Sequence, residues 1–401
     1  MRGLINIRSN IIFSLITFCI ILISFDSYWF GASSNQLMYK LNYVFLVILF
    51  IIFLIKKPEE RIIYTNNVII VWFICFALLL SVLFNSDSLL GGTTTIIIEI
   101  VTALLIVKKT SLKKFTDIYV DIIFLITLYS LIIYVLIHVG FLFPSIIYNL
   151  GDSPIYTSAG CIFFKVNDFY RNSGIFREPG MYMIYINLCF IFKLIQNEKM
   201  TIWQLVVFCT GIFTSFSTAG IIVLFILFII YMLNMSKKHN KVLFVIIFLG
   251  VVFFICSSEF MDSMVFHKFS ESEENASFLA RISSVLIPSS IFIDNPLLGC
   301  GFANFEKEYV EHSIKLYGFN IGISNSTNTI FNTFAVLGVI PGSFLLLSLY
   351  KFSSKINNAK LLLYGALLLM FSNESMFYSI IVYIILLFGL KGFLFKKKIC
   401  I

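Results

Sequence analysis

The sequence predicts an all-α polytopic membrane protein of about twelve transmembrane helices, with both termini cytoplasmic and two long extracytoplasmic loops. Three observations predict it. Of 401 residues, 59% are hydrophobic and only 12% charged. An ordinary soluble domain has roughly a quarter of its residues charged, so this apolar surface needs lipid as its solvent. The apolar residues fall in runs of about 20, the length that crosses a bilayer, and the 29 Lys and Arg gather in short stretches between alternate runs.

The runs place helices near 8–25, 38–55, 66–84, 89–107, 118–142, 179–196, 200–216, 217–235, 241–258, 326–350, 359–373 and 376–395. The first follows Arg2 and Arg8 without a small-residue cleavage site, so it reads as a retained helix. Ser215, Ser217 and Thr218 give only a minimal turn between the seventh and eighth. With the N-terminus inside and the helices alternating, the outside keeps Lys40, Lys165, Arg171, Arg177, Lys268, Arg281, Lys307 and Lys315; the other 21 of the 29 basic residues lie inside. Every inside loop is then short and basic, as the positive-inside rule requires. The whole chain, 1–401, reads as a single membrane domain of the cytoplasmic (inner) membrane. Two long outside loops stand apart, 143–178 and 259–325, and long loops in a compact protein are usually functional. In the second, Phe278, Leu279, Ile282, Val285 and Leu286 recur at helical spacing opposite Arg281 and Ser284, which predicts a short amphipathic helix on the membrane surface.

Several function classes drop out. The net charge of +8 sits in topology-setting runs rather than a basic stripe, so nucleic acid is not a partner. The eight cysteines include no C-x-x-C pair; Cys161 and Cys300 fall in the outside loops, where a bridge between them is the alternative to the unpaired thiols expected. His138, His239, His267 and His312 lack metal-ligand spacing, and no D-x-D pair occurs, so neither metal nor cofactor is expected. No repeat is evident, which argues against the inverted halves of a secondary transporter. Within the predicted spans, Glu99 is expected to bond Thr95 and Thr102, the alternative being to line a cavity or carry protons, and Asn187 and His138 are expected to bond neighbouring helices. Asp117 and Asp121 fall where acids suit the start of a helix.

Chemistry collects in the outside loops. The first ends in Arg171-Asn172-Ser173-Gly174-Ile175-Phe176-Arg177-Glu178-Pro179-Gly180. Pro179 suits a first helical position and Glu178 the cap before it, so a helix N-terminus and two arginines stand together, an arrangement fit for a diphosphate. Capping and membrane anchoring are the competing uses. The second loop carries Arg281, then Asn295-Pro296-Leu297-Leu298-Gly299-Cys300-Gly301 and Ser324-Asn325-Ser326-Thr327-Asn328-Thr329, with Gly338 and Pro341-Gly342 beyond. Gly299 and Gly301 permit close backbone approach to a ligand; Asn325 and Asn328 offer hydrogen bonds or an ordinary N-cap.

These stretches resemble a known family. Arg171 to Gly180 looks like the R-x-x-G-x-F-x-E-P element of O-antigen and capsule polymerases of the Wzy type. Arg281, Asn295 to Gly301, Asn328 and Gly338 look like the signature those polymerases share with O-antigen ligases. The resemblance implies a metal-independent glycosyltransferase that polymerises undecaprenyl-diphosphate-linked oligosaccharide repeat units into O-antigen (lipopolysaccharide) or capsular polysaccharide. The active site would face the periplasm or exterior, with a chain-length regulator as a possible partner. It further implies that Arg171 or Arg177, and Arg281, hold the diphosphate; Glu178 is either the general base or the residue that orients Arg177. Gly299, Gly301, Asn325 and Asn328 are the substrate-binding candidates. Ligases carry His-Asn where this chain has Thr327-Asn328, which favours polymerase over ligase. A polysaccharide flippase is the alternative from a different class.

Overall fold

The computed structural model describes residues 13–22, 26–32, 36–55, 65–85, 92–150, 153–166, 169–234, 273–323, 326–356 and 358–391. In chain order the described helices are α1 (Phe13–Leu22), α2 (Gln36–Ile55), α3 (Thr65–Asn85), α4 (Gly92–Lys109), α5 (Leu112–His138), α6 (Pro179–Ile195), α7 (Ile202–Thr214), α8 (Thr218–Asn234), α9 (Glu273–Asp294), α10 (Phe302–Tyr317), α11 (Thr329–Leu337), α12 (Val339–Ser353), α13 (Lys360–Asn373) and α14 (Ile380–Leu390). A single π-helical turn, Tyr28–Ala32, follows α1. The helix expected at 241–258 lies outside the described residues.

α3 and α5 are long and apolar enough to cross a membrane, and many of the others are shorter apolar helices. Their outer faces carry large exposed hydrophobics: Val47, Ile51 and Leu54 on α2, Trp72, Phe76 and Leu83 on α3, Leu125, Ile132 and Val135 on α5. Water would penalise apolar faces of this extent, whereas lipid solvates them. The chain is therefore a membrane protein, mostly helical.

It divides into two compact units, one of Met1–Thr65, Ile98–Ile221 and Tyr378–Ile401, the other of Asn66–Ile97 and Ile222–Phe377. In the first, α6 is the central helix. It is buried from Pro179 to Phe192 and packs on α5 and α7. Gly211 of α7 lets that helix approach closely: a Cβ there would stand 2.6 Å from Thr127 and 2.9 Å from Ile186. Asn187 donates to the Gly220 carbonyl at 3.2 Å, the interhelical bond expected of it. In the second unit, α11 packs on α9, α12 and α13.

Three expectations are corrected. The chain is not all-α: Ser145–Leu150, Ser153–Ser158, Cys161–Val166 and Phe169–Gly174 form an antiparallel meander, β1 to β4, in sequence order. Two-residue links separate the strands. The one at Ala159 (φ 47°) and Gly160 (φ 81°) has the paired positive φ of the hairpin turn that matches strand twist. Phe163 and Cys161 pack on Ile133 and Ile137 of α5, while Ile155 and Ile162 pack on Tyr28. The 143–178 segment thus contains a four-stranded sheet. Second, the helix expected over 326–350 is two helices, broken at Gly338. Third, the amphipathic segment of the second loop belongs to a 22-residue helix, α9, with Pro288 inside it. Ile282 and Leu286 are exposed, whereas Ser283, Ser284, Ile287 and Ile291 are buried. The second loop also contains α10, which was not anticipated.

Opposite charges tie α5 to the link after α6. Glu198 pairs with Lys193 at 2.8 Å and with Lys113 at 3.0 Å, and Lys193 also reaches Asp117 at 3.4 Å. Hydrogen bonds from Lys193 and Lys113 hold the Glu198 carboxyl down at about 2. A depressed carboxylate stabilises the fold above its unfolded pKa, and that stabilisation is lost as pH falls through the folded value. Thermal unfolding in detergent should therefore show wild type losing stability between about pH 4.5 and pH 2, with a shallower loss in Glu198→Gln. Parallel pH profiles for the two proteins would refute this.

Candidate active site

The first loop motif is built from its own short-range chemistry. Asn172, fully buried in β4, accepts the Gly174 N–H at 2.9 Å through Oδ1 and donates to Ser130 at 3.2 Å and Thr214 at 3.4 Å. Ser130 in turn bonds the Tyr182 hydroxyl at 2.7 Å. The chain leaves β4 through this Asx turn. Phe176 then buries its ring against Tyr185, 4.3 Å between centroids. Glu178 occupies the cap position of α6 and Pro179 the first turn, as expected, but the Glu178 side chain makes no capping bond. Its carboxylate turns to Arg177 instead, Oε1 to Nη2 at 3.4 Å. Both side chains are about one-third exposed, 28% for Arg177 and 34% for Glu178. An accessible, carboxylate-steered guanidinium at a helix N-terminus is suited to an anion.

Arg171 stands differently. It lies in β4, and its guanidinium donates through Nε to the Ser215 carbonyl at 3.2 Å and through Nη2 to the Phe216 carbonyl at 3.3 Å. It thus closes the C-terminal end of α7, where free carbonyls attract a cation. The sharp turn after α7 places Phe216 at φ 50°, and Arg171 holds that turn.

One contributor escaped the sequence reading. Asp26, 2% exposed, follows α1 and accepts hydroxyl bonds from Tyr185, at 2.8 Å, and from Ser379. Its backbone carbonyl accepts the Arg177 N–H at 2.9 Å, and Ser27 bridges Phe176 in antiparallel fashion. A lone aspartate after an apolar run carries no local pattern; only the folded chain brings it beneath Arg177. Glu99, also 2% exposed, interacts electrostatically with Asp26. Neither Glu99 Oε2 nor the Thr102 hydroxyl has a hydrogen-bond partner among the described residues, so the expected Glu99–Thr102 bond is not formed.

In the second unit, the Asn295 to Gly301 loop is zipped to the end of α11. Cys300 and Gly301 donate backbone N–H groups to Ala335 and Val336 at 2.9 and 3.1 Å, and Val339 donates to Pro296 at 2.9 Å. These bonds satisfy carbonyls that a helix end leaves unpaired. Contact is so close that a Cβ on Gly299 would meet the Val336 carbonyl at 2.3 Å, and one on Gly338 would meet the Leu297 oxygen at 2.2 Å. The glycines of the signature are one interlocked feature: Gly299 is there for Val336, and Gly338 for Leu297. Gly299 therefore serves first to bring two backbones together, while Gly301, at φ 77°, turns the chain into α10.

The start of α11 gathers the remaining candidates. Asn328 accepts from Ile330 and Phe331 N–H groups at 3.0 and 3.1 Å, a full N-cap, while its buried Nδ2 has no partner among the described residues. Thr329 accepts the Met376 N–H at 2.8 Å and donates to the Glu374 carbonyl. Arg281, exposed on α9, donates through Nη1 to the Asn373 carbonyl at 2.6 Å, next to that same segment. Arg281 and the N-terminus of α11 are thus tied to one stretch, Asn373–Met376. Asn325 lies outside the described residues. Asn328→Ala should cost about 1 kcal/mol of stability through the lost cap, with Asn328→Asp close to wild type. A detergent melting series checks this, and equal losses in both variants would contradict it.

Residues 203–347 match the family model described as O-antigen ligase. No curated protein and no solved structure matches the chain. The O-antigen ligase match spans Arg281, Asn295 to Gly301, Asn328 and Gly338, the residues that carried the resemblance in the second loop. It supports the O-antigen ligase-like superfamily and does not separate polymerase from ligase. The Arg171 to Gly180 element lies upstream of it. Cys161 and Cys300 are free thiols, both buried. His138 bonds the Tyr134 carbonyl one turn back, at 2.9 Å, and so serves its own helix rather than a neighbouring one in that bond. Among the described residues, no group of three His, Cys, Asp or Glu is arranged to hold a metal ion.

Proposed function

We propose that the protein is a membrane glycosyltransferase that polymerises undecaprenyl-diphosphate-linked oligosaccharide repeat units into O-antigen or capsular polysaccharide at the outer face of the cytoplasmic membrane. The observation that carries this reading is the O-antigen ligase match over the second-loop signature. The Arg177–Glu178 pair at the start of α6 and Arg281 beside the start of α11 give it chemistry. The charge count supplies the orientation, with both termini inside and both arginine-bearing segments outside.

In the proposed reaction a sugar hydroxyl attacks the anomeric carbon of the growing chain, and its lipid diphosphate departs. Negative charge builds on that leaving group, so fixed guanidinium groups stabilise the transition state more than the ground state. Arg177 and Arg281 are each assigned, within its own unit, to lipid diphosphate. Arg171 is assigned to holding the loop, because its guanidinium already serves the α7 carbonyls. Glu178, uncommitted to capping, either takes the hydroxyl proton or steers Arg177; its 3.4 Å pairing supports the steering role. The uncommitted Asn328 amide is assigned to substrate. Thr327, where ligases carry histidine, favours polymerase.

A deletion strain separates the readings by its glycans. Loss of a polymerase leaves single repeat units on the final acceptor, loss of a ligase leaves lipid-linked polymer, and loss of a flippase leaves neither outside. Either of the last two patterns would overturn the assignment.

A further inference from the structure

The segment after α1 and the end of the first loop motif form a short antiparallel pairing. Ser27 stands opposite Phe176, Tyr28 donates to the Ile175 carbonyl at 3.0 Å, and Arg177 donates to the Asp26 carbonyl at 2.9 Å. Asp26 is therefore the cross-strand neighbour of Arg177. Residues so paired project their side chains to the same face, with Cβ atoms about 5 Å apart. The two charges interact, and Asp26 also senses Glu178. On its far side the Asp26 carboxylate is fixed: Oδ2 accepts the hydroxyls of Tyr185, from α6, and Ser379, at the start of α14. Three separate elements of the first unit thus converge on one buried carboxyl group, cross-strand from an arginine whose side chain is 28% exposed. Burial pushes the Asp26 carboxyl up, while Arg177 and then the Ser379 and Tyr185 hydroxyls draw it back. Taking a charge to 2% exposure is costly, and the nearby guanidinium offsets only part of that cost.

We propose that Asp26 is the positioning residue for Arg177. Anchored on Tyr185 and Ser379, it holds the guanidinium between itself and Glu178, so that the exposed edge presents N–H donors to a lipid-linked diphosphate. This rests on the assignment of Arg177 to diphosphate made above. A long, flexible arginine held between two carboxylates loses little entropy when the ligand arrives, which is the advantage of preorganisation.

The test uses the full chain in nanodiscs, with undecaprenyl diphosphate as the probe and undecaprenyl monophosphate as its control. Asp26→Asn, Arg177→Ala and the double variant are compared by Kd after a melting check. Asp26→Asn keeps both hydroxyl acceptor bonds and removes the charge. It should weaken diphosphate binding about tenfold and monophosphate binding less, and the double variant should bind no worse than Arg177→Ala alone. Wild-type affinity in Asp26→Asn, or losses that add in full in the double variant, would overturn the proposal. Should Asp26→Asn fail to fold, Tyr185→Phe combined with Ser379→Ala removes the anchors and retains the charge. Weaker diphosphate binding is then expected, and unchanged binding overturns the proposal. Absence of diphosphate binding by the wild type would defeat the proposed function itself, a different failure from a wild type that binds and an Asp26→Asn that binds equally.

Discussion

Arg281→Ala is expected to cut polymer growth about a hundredfold, through loss of about 3 kcal/mol of transition-state stabilisation. The residue is exposed on α9, with Nη1 on the Asn373 carbonyl at 2.6 Å. That bond fixes the direction of a planar fork whose other edge can meet phosphate oxygens in pairs. An exposed arginine bonded to one carbonyl contributes little to folding, so expression and melting temperature should be close to wild type. Arg281→Lys keeps the charge but loses the fork, and an intermediate chain length is expected. Polymer length on gels, from a deletion strain complemented at matched protein levels, reads the result. Long chains from well-expressed Arg281→Ala would remove Arg281 from the reaction.

Gly338→Ala should act in the opposite manner, on the fold rather than the chemistry. Gly338 has φ 82° and ψ −171°, a region open essentially to glycine alone. Its added methyl would also stand 2.2 Å from the Leu297 oxygen and 2.6 Å from the Leu297 carbonyl carbon. Neither obstacle is the end of a flexible side chain. Backbone strain and backbone collision add, so the expected cost is more than about 3 kcal/mol, a large share of a typical folding free energy. Little folded protein should be recovered from membranes, and whatever is recovered should melt well below wild type. Gly365→Ala is the control, since nothing lies within 4 Å of a Cβ there. A Gly338→Ala protein as stable as that control would refute the interlocked-loop account.

The membrane class was legible because it depends on composition and run length alone. Lipid accepts any sufficiently apolar helix, so α3, α5, α6, α7 and α8 appear close to their expected positions. The break at Gly338 was not legible: hydropathy runs on through it, and only the approach of Leu297 shows why glycine stands there. The β-meander was missed although a signal existed. Strand-length runs repeat every eight residues between Gly151-Asp152, Ala159-Gly160 and Asn167-Asp168, the spacing of hairpins. Reading that segment only as the gap between two apolar runs hid the period.

The same division holds for the candidate site. Arg177, Glu178, Pro179 and Arg281 stand out as candidates in the sequence because helix starts and loop arginines announce themselves locally. Their roles then diverged with context: Glu178 left its cap for Arg177, Arg171 was taken by the α7 carbonyls, and Gly299 by Val336. The amino-acid sequence by itself determined the solvent of this protein and pointed to its candidate site, because hydrophobicity, charge and capping act over a few residues. Tertiary structure alone decided which arginine is accessible, which buried carboxyl group it pairs across from and why the glycines are paired, because Asp26 with Tyr185 and Ser379, and Leu297 with Gly338, meet only when distant segments close.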